Sequence, residues 1–197
     1  MAETEEVIQR FLDGDEEAFG QIVRIWERKV YNLAWRMLGN REDAQDVAQD
    51  TFLSIFKSLK TLRDPGSFST WLYRITINHC QIRWRIRAFH VSLDDRVSDR
   101  NGGKKEVFSG NSSAKPGRDF LEILDIIHKA LAGLSEDHRS AVVLKEYMGL
   151  SLQELADVMG CPLSTAKSRL YHGIREVQRN LVRLGVKLQE GRPEDSP

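Results

Sequence analysis

The stretch Leu150–Leu181 constrains this chain more than any other, because it holds two helix starts separated by one sharp break. Ser151-Leu152-Gln153-Glu154 is a capping box, in which the serine hydroxyl and the glutamate carboxylate satisfy backbone N–H groups that a first helical turn leaves without partners. Leu155, Ala156 and Met159 then form an inner face, and Ala156 is small enough to let a second helix cross closely. Gly160-Cys161-Pro162 ends that helix after barely two turns. Ser164 stands where it can cap the next helix, which carries Ala166, Leu170, Ile174, Val177 and Leu181 inward. The spacing predicts a helix-turn-helix. Its outward residues, Thr165, Lys167, Ser168, Arg169, His172 and Arg175, are donors and cations suited to base edges and phosphates in a major groove. The plain alternative is a helical hairpin with a solvated basic face.

Overall charge argues at first against a nucleic-acid partner, since 29 basic residues balance 29 acidic ones. Segment by segment the balance breaks: residues 1–62 carry −4, 63–90 carry +4, 91–118 carry +2, 119–160 carry −5, 161–185 carry +4 and 186–197 carry −1. Two acidic segments are each followed by a basic one, and each basic segment is able to present a local positive face.

The first acidic segment is dense in helix signals. Asp13-Gly14-Asp15 precedes Phe19, Ile22, Val23, Trp26, Val30, Leu33, Ala34, Met37 and Leu38, which recur with the 3.6-residue period of an amphipathic helix. Gly39-Asn40 ends it and starts a second helix, roughly Arg41–Leu59, with Ala44, Val47, Ala48, Thr51, Phe52, Ile55, Phe56 and Leu59 on its inner face. A break at Arg63-Asp64-Pro65-Gly66-Ser67 leads to a third helix, from Ser69 to about Arg87, aromatic at its start and basic at its end. Residues 92–118 crowd Gly, Ser, Asn and Pro together and read as a linker. Beyond it, Phe120, Ile123, Leu124, Ile127 and Leu131 mark one face of a short helix, and Ser135 caps another that runs to Gly149. No run alternates with period two, so the expected class is all-α: two small helical domains, 1–91 and 119–184, a linker at 92–118 and a polar tail at 185–197.

Phe68-Ser69-Thr70-Trp71-Leu72-Tyr73-Arg74-Ile75, continuing past Asn78 to Arg83, Arg85 and Arg87, mixes aromatics, an amide and arginines. That is the physical kit for unpaired bases: rings stack, amides read an edge, and arginines hold the backbone. Trp71 and Leu72 are equally at home in a core. Catalytic and metal chemistry find little support. Cys80 and Cys161 form no CxxC pair, Cys80 and His79 are adjacent and so point in different directions on a helix, and His128 and His138 lack partners at metal spacing. No apolar run approaches the roughly 20 residues of a membrane span, and the acidic start of the chain is unlike a signal segment. A cytoplasmic protein that is not an enzyme is expected.

The run Asp43-Ala44-Gln45-Asp46-Val47-Ala48-Gln49-Asp50-Thr51-Phe52, then Phe68–Ile75, then Leu150–Ile174 resembles the bacterial sigma-70 family, in its extracytoplasmic-function branch. The resemblance covers nearly the whole chain apart from the linker and tail. It implies a sigma-2 and a sigma-4 domain that direct core RNA polymerase to promoters. By that likeness Asp43, Asp46, Gln49, Asp50 and Phe52 would dock on the clamp helices of the polymerase β′ subunit. Leu62, Arg63, Phe68, Arg74, Asn78, Arg83 and Arg85 would capture the melted −10 strand. Leu62 stands where some relatives carry an aromatic residue, so an apolar contact would replace stacking there. Ser164, Thr165, Lys167, Ser168, Arg169, His172 and Arg175 would read the −35 duplex, while the upper helices of sigma-4 would touch the polymerase β flap. The likeness also implies an anti-sigma factor as a partner, and no cofactor. Two other readings stay open on the residues alone: a dimeric helix-turn-helix regulator, and an interaction protein that uses this fold without DNA.

Overall fold

The computed structural model of the chain describes residues 2–94 and 118–187. Most of the expected linker, 95–117, and the tail from 188 lie outside the described residues. Eight α-helices make up the described part, and no strand occurs in it: α1 (Ala2–Leu12), α2 (Ala18–Leu38), α3 (Arg41–Ser58), α4 (Phe68–Asp94), α5 (Arg118–Ala132), α6 (Glu136–Val142, running into a π-helical turn at Val143–Tyr147), α7 (Leu152–Met159) and α8 (Leu163–Arg183). Short 3₁₀ turns at Leu59–Thr61 and Pro65–Ser67 connect α3 to α4. Helix α4 runs three residues past the expected boundary at 91.

Helix α1 forms in the acidic N-terminal stretch, outside the helices that the apolar periodicity predicts. Its signal is short: Val7, Ile8 and Phe11 are buried at i, i+1 and i+4, and Phe11 meets Phe19 and Phe56 with ring centroids 5.6 and 5.8 Å apart. Phe56, expected inside α3, is therefore a rim residue that keeps 44% of its surface exposed. Ala44, Val47, Thr51 and Ile55 line the buried face of α3, while Ala48 and Phe52 are half-buried. Asn40 starts α3 by accepting the N–H of Asp43 at 3.0 Å. The left-handed Gly39, φ +69°, ends α2, a conformation that costs a residue without Cβ little. In α5 Leu131 is buried and Leu124 and Ile127 are half-buried on the expected face, Ala130 joins them, Ile123 is instead exposed, and the side chain of Phe120 lies outside the described residues.

The two helical groups pack against each other, α4 on α7 and α2 on both α5 and the π-helical turn. Arg139, at the centre, is only 4% exposed. Its Nη1 donates to the carbonyl of Met37 at 2.7 Å, its Nη2 to those of Ala132 and Leu134 at 2.8 and 3.3 Å, and its guanidinium lies 3.8 Å over the ring of Trp84. Met37 lies in the last turn of α2 and Ala132 ends α5, so one cation serves carbonyls at two helix C-termini, where acceptors lack partners and the dipole is negative. Burial lowers its pKa to about 10, and the group stays charged at neutral pH. Beside it the ring of His128 lies 4.0 Å from that of Trp35, and Arg36 lies 4.4 Å over Tyr147.

Two predictions follow from this junction. Arg139→Ala should lower stability by about 2–4 kcal/mol in urea unfolding, because the carbonyls lose a charged partner at roughly 1–3 kcal/mol each; Arg139→Lys should lose less. The second concerns pH. Burial, then Arg36 and Arg139, push His128 down from 6.5 to about 4. Below 6.5 the separated helical groups take up a proton that the packed groups refuse until about pH 4. The contact should thus hold fully above pH 6.5 and weaken as pH falls toward 4, read as faster hydrogen exchange around Trp35–Gly39, a trend that His128→Gln flattens.

Candidate nucleic-acid interface

The capping box at Ser151 forms as its residues dictate. The N–H of Ser151 donates to the Glu154 carboxylate at 2.8 Å, and the N–H of Glu154 donates to Ser151 Oγ at 3.2 Å, which holds the Glu154 carboxyl below its usual value. Gly160, φ +61°, terminates α7, and the Cys161 N–H returns to the Ala156 carbonyl at 3.1 Å. Two local expectations change here. The N-cap of α8 is Pro162, whose missing N–H costs nothing at that position, so Ser164 lies within the first turn and caps nothing. Val158, rather than Met159, joins Leu155 and Ala156 in the buried face of α7.

Gly173 decides how the long helix is seated, and the spacing of apolar residues had concealed it. A Cβ there would stand 2.7 Å from Val142 Cγ2 and 2.8 Å from the His138 carbonyl oxygen, so α6 and α8 cross at glycine contact. With Ala166 and Leu170 also buried, this fixes the rotation of α8. Ser164, Lys167, Ser168, His172 and Arg175 are exposed on it, Thr165 is half-buried, and exposed Tyr171 joins them. Arg169 is half-buried and its Nη2 pairs with the Asp137 carboxylate at 2.7 Å. Ser135 caps α6 by accepting from the His138 N–H at 3.3 Å, which places Asp137 in that helix's first turn.

On the first group of helices the expected strand-binding residues divide. Phe68 is 1% exposed, packed edge-on against Trp26 at 5.7 Å, and Tyr73 meets the same indole at 6.0 Å. The aromatics at the start of α4 are thus mostly core, and Phe68 has no free face for a base; Trp71 is half-buried. Leu62 is half-buried and Arg63 exposed, in a loop that Asp64 shapes by accepting the Gly66 N–H at 3.0 Å. Arg74, Asn78 and Arg85 are exposed along α4. Arg74 donates to the Asp157 carbonyl of α7.

Arg83, expected at DNA, and Asp43 and Asp46, expected at polymerase, meet each other. Arg83 Nε lies 2.9 Å from Asp43, its Nη2 pairs with Asp46, and Arg87 reaches Asp43 at 3.5 Å. Gln49 and Asp50 stay exposed one turn on, and Leu53, outside the expected docking set, extends that surface as an exposed apolar residue. Cys80 is fully buried, and burial pushes its thiol pKa up, which suits a core residue and not a nucleophile. His79 and Ser54 form a 2.9 Å hydrogen bond between α4 and α3. Among the described residues no three His, Cys, Asp or Glu side chains are grouped to hold a metal, and no helix is long and apolar enough to cross a membrane.

Residues 22–89 match the family model of sigma-70 region 2, and 124–177 that of sigma-70 region 4. The chain is 32% identical over 183 residues to the RNA polymerase sigma-H factor of Pseudomonas aeruginosa, covering 90% of this chain and 93% of that one. It is 32% identical over 176 residues to the ECF RNA polymerase sigma factor SigW of Bacillus subtilis, covering 88% and 94%. Two solved structures share the fold. CnrH in complex with the cytosolic domain of CnrY superposes with a TM-score of 0.67 at 22% identity, covering 91% of this chain and 97% of that one. The sigma factor RpoE in complex with the anti-sigma factor NepR from Bartonella quintana gives 0.64 at 23%, covering 85% and 98%.

Gly173→Ala tests the crossing of α6 and α8. Helix propensity alone would favour alanine by about 1 kcal/mol, but overpacking against a backbone carbonyl costs roughly 1–3 kcal/mol. A net loss of about 1–2 kcal/mol in denaturant unfolding is expected, together with weaker duplex binding as α8 is displaced.

Proposed function

This chain belongs to the sigma-70 family of RNA polymerase sigma factors, in the extracytoplasmic-function branch, and from that premise we propose how its residues divide the work of promoter recognition. The protein directs core RNA polymerase to specific promoters and so initiates transcription. Family members are initiation factors without catalysis of their own; this chain likewise is no enzyme, and polymerase supplies the chemistry in the cytoplasm. Its mechanism is differential binding, in which duplex contacts at −35 place the enzyme and strand capture at −10 stabilises melted DNA.

Residues 1–91 serve as sigma-2, 119–184 as sigma-4, 92–118 as the linker and 185–197 as a polar tail. The observation that carries the −35 assignment is the exposed row Ser164, Lys167, Ser168, His172 and Arg175 on a helix whose rotation is set by buried Ala166, Leu170 and Gly173. Thr165 and Arg169 complete the row, Arg169 once it leaves Asp137. At −10, exposed Arg63, Arg74, Asn78 and Arg85, with the apolar edge of Leu62, hold the strand. Gln49, Asp50 and Leu53 offer polymerase an exposed contact on α3, with half-buried Phe52 beside them. Asp43 and Asp46 join that contact by sharing or exchanging Arg83. An apolar groove of about 310 Å³, lined by Ile127, Leu131, Val142, Tyr147, Ile174 and Val177, suits an apolar helix such as the β flap would present. RpoE is seen with an anti-sigma factor, and a partner of that kind would occlude the polymerase-binding surface of this chain.

Reconstituted transcription with core polymerase over a randomised promoter library tests the whole reading and supplies both element sequences. Asn78→Ala should lose −10 discrimination by about 1–3 kcal/mol while core binding stays intact. Lys167→Ala should weaken −35-dependent binding by a similar amount and, where the lysine meets phosphate, reduce the salt slope by about 1. No change in promoter choice from either variant would overturn the residue assignment.

A further inference from the structure

Resting on the reading of α8 as the −35 reader, we propose that Asp137, on the neighbouring helix α6, sets the strength of that reader by competing with DNA for Arg169. The pair belongs to a polar edge. Arg169, His172 and Glu176 follow one another at i, i+3 and i+7 and so share the side of α8 that faces the start of α6. Arg169 Nη2 lies 2.7 Å from the Asp137 carboxylate. The His172 ring is stacked on that of His138, with centroids 5.9 Å apart and planes 24° apart, and His138 Nδ1 lies 3.0 Å from the Glu176 carboxylate. Glu176 also has Arg179 at 3.9 Å. Two carboxylates thus stand directly beside the row assigned to DNA.

Asp137 cannot travel with Arg169 toward a duplex. It lies in the first turn of α6, which Ser135 caps by accepting the His138 N–H at 3.3 Å. That helix crosses α8 at Gly173, where the His138 carbonyl oxygen would stand 2.8 Å from an added Cβ. Arg139, two residues on, is buried, and its Nη2 donates to the carbonyls of Ala132 and Leu134 at 2.8 and 3.3 Å. Packing therefore fixes the short Asp137 carboxylate in place, while the guanidinium sits at the end of a long side chain with many rotamers. Arg169 gains a base edge or a phosphate only by giving up the pair.

Magnitudes decide which partner wins. The side chains of Arg169 and Asp137 keep 27% and 47% of their surface exposed, and an ion pair of that exposure is worth about one- to fivefold in an equilibrium constant. A bidentate arginine contact to a base edge is worth about five- to 150-fold. DNA therefore takes Arg169, and the grip it gains is smaller by the worth of the pair. That cost falls on any duplex from which Arg169 takes a contact, so Asp137 lowers affinity without choosing the sequence. Losses of this kind appear mainly as faster dissociation. A −35 contact held briefly suits a reader that has to let go once the polymerase moves off.

The test uses the full chain bound to core polymerase and a fluorescent duplex that carries the selected −35 sequence with a scrambled −10 sequence. Asp137→Asn should tighten binding about two- to fivefold, chiefly through slower dissociation, and the gain should shrink as salt screens the pair in the parent. Asp137→Glu, whose longer side chain still reaches Arg169, should bind as the parent does. In an Arg169→Ala background the same Asp137→Asn change should have little effect, because the competitor then has nothing to hold. The −35 preference that Asp137→Asn selects from a randomised library should match that of the parent. Should Asp137→Asn fail to fold, Asp137→Ser, which also keeps a polar group in the first turn of α6, takes its place. Weaker binding by the folded variant would overturn the proposal, since it would mean that Arg169 reads DNA from within the pair. Equal tightening with and without Arg169 would overturn it too, since the effect would then be the loss of one negative charge near DNA. A parent holoenzyme whose binding ignores the −35 sequence would instead sink the reading of α8 and this proposal with it, so the two failures are distinguishable.

Discussion

A buried charge that meets no carboxylate among the described residues is the constraint on which this arrangement turns. Arg139 gives up water for the carbonyls of Met37, Ala132 and Leu134 and for the face of Trp84. Desolvation on this scale is unfavourable by several kcal/mol unless a cation's donors are met, and here two of its three nitrogens are, while Nε finds no acceptor. The planar fork of arginine matters, because it serves acceptors from separate helix ends at once and still stacks on an indole. Remove it and the end of α2, the end of α5 and the start of α6 lose their common partner.

Around that junction the charged residues have a double allegiance. Arg169 faces Asp137, Arg83 faces Asp43 and Asp46, and Arg74 faces a carbonyl of α7. Each partner is partly exposed, so each pair is worth little as stability, about 0–1 kcal/mol. That weakness suits groups whose work is to exchange partners. A buried pair would hold more tightly and would release its arginine to DNA or polymerase only at greater cost.

Much of the candidate site was legible because its signals are local. The capping box, the left-handed Gly160 and the apolar spacing of α8 all act within about four residues, and helix geometry turns such spacing directly into a face. The aromatics of α4 misled for the opposite reason. Whether Phe68 stacks on a base or on Trp26 depends on α2, which lies more than a helix away in sequence. Ser164 failed as a cap because Pro162 already starts the helix, a choice between two local signals that spacing could not rank. Helix α1 went unseen because three buried residues make too brief a pattern to stand out in an acidic stretch.

By itself the sequence determined that the chain is helical, that Leu150–Leu181 turns back on itself with a row of donors outward, and that acidic and basic segments alternate. Those properties follow from nearest-turn geometry and from charge, which do not depend on the rest of the fold. The tertiary structure alone decided which cations are spoken for. Arg139 meets a carbonyl 102 positions away and Arg83 a carboxylate 40 away, and nothing in residue type separates them from their exposed neighbours. The same holds for Leu150–Leu181 as a reader: its outward row was written locally, but its rotation rests on a glycine whose importance appears only when Val142 and His138 are brought against it.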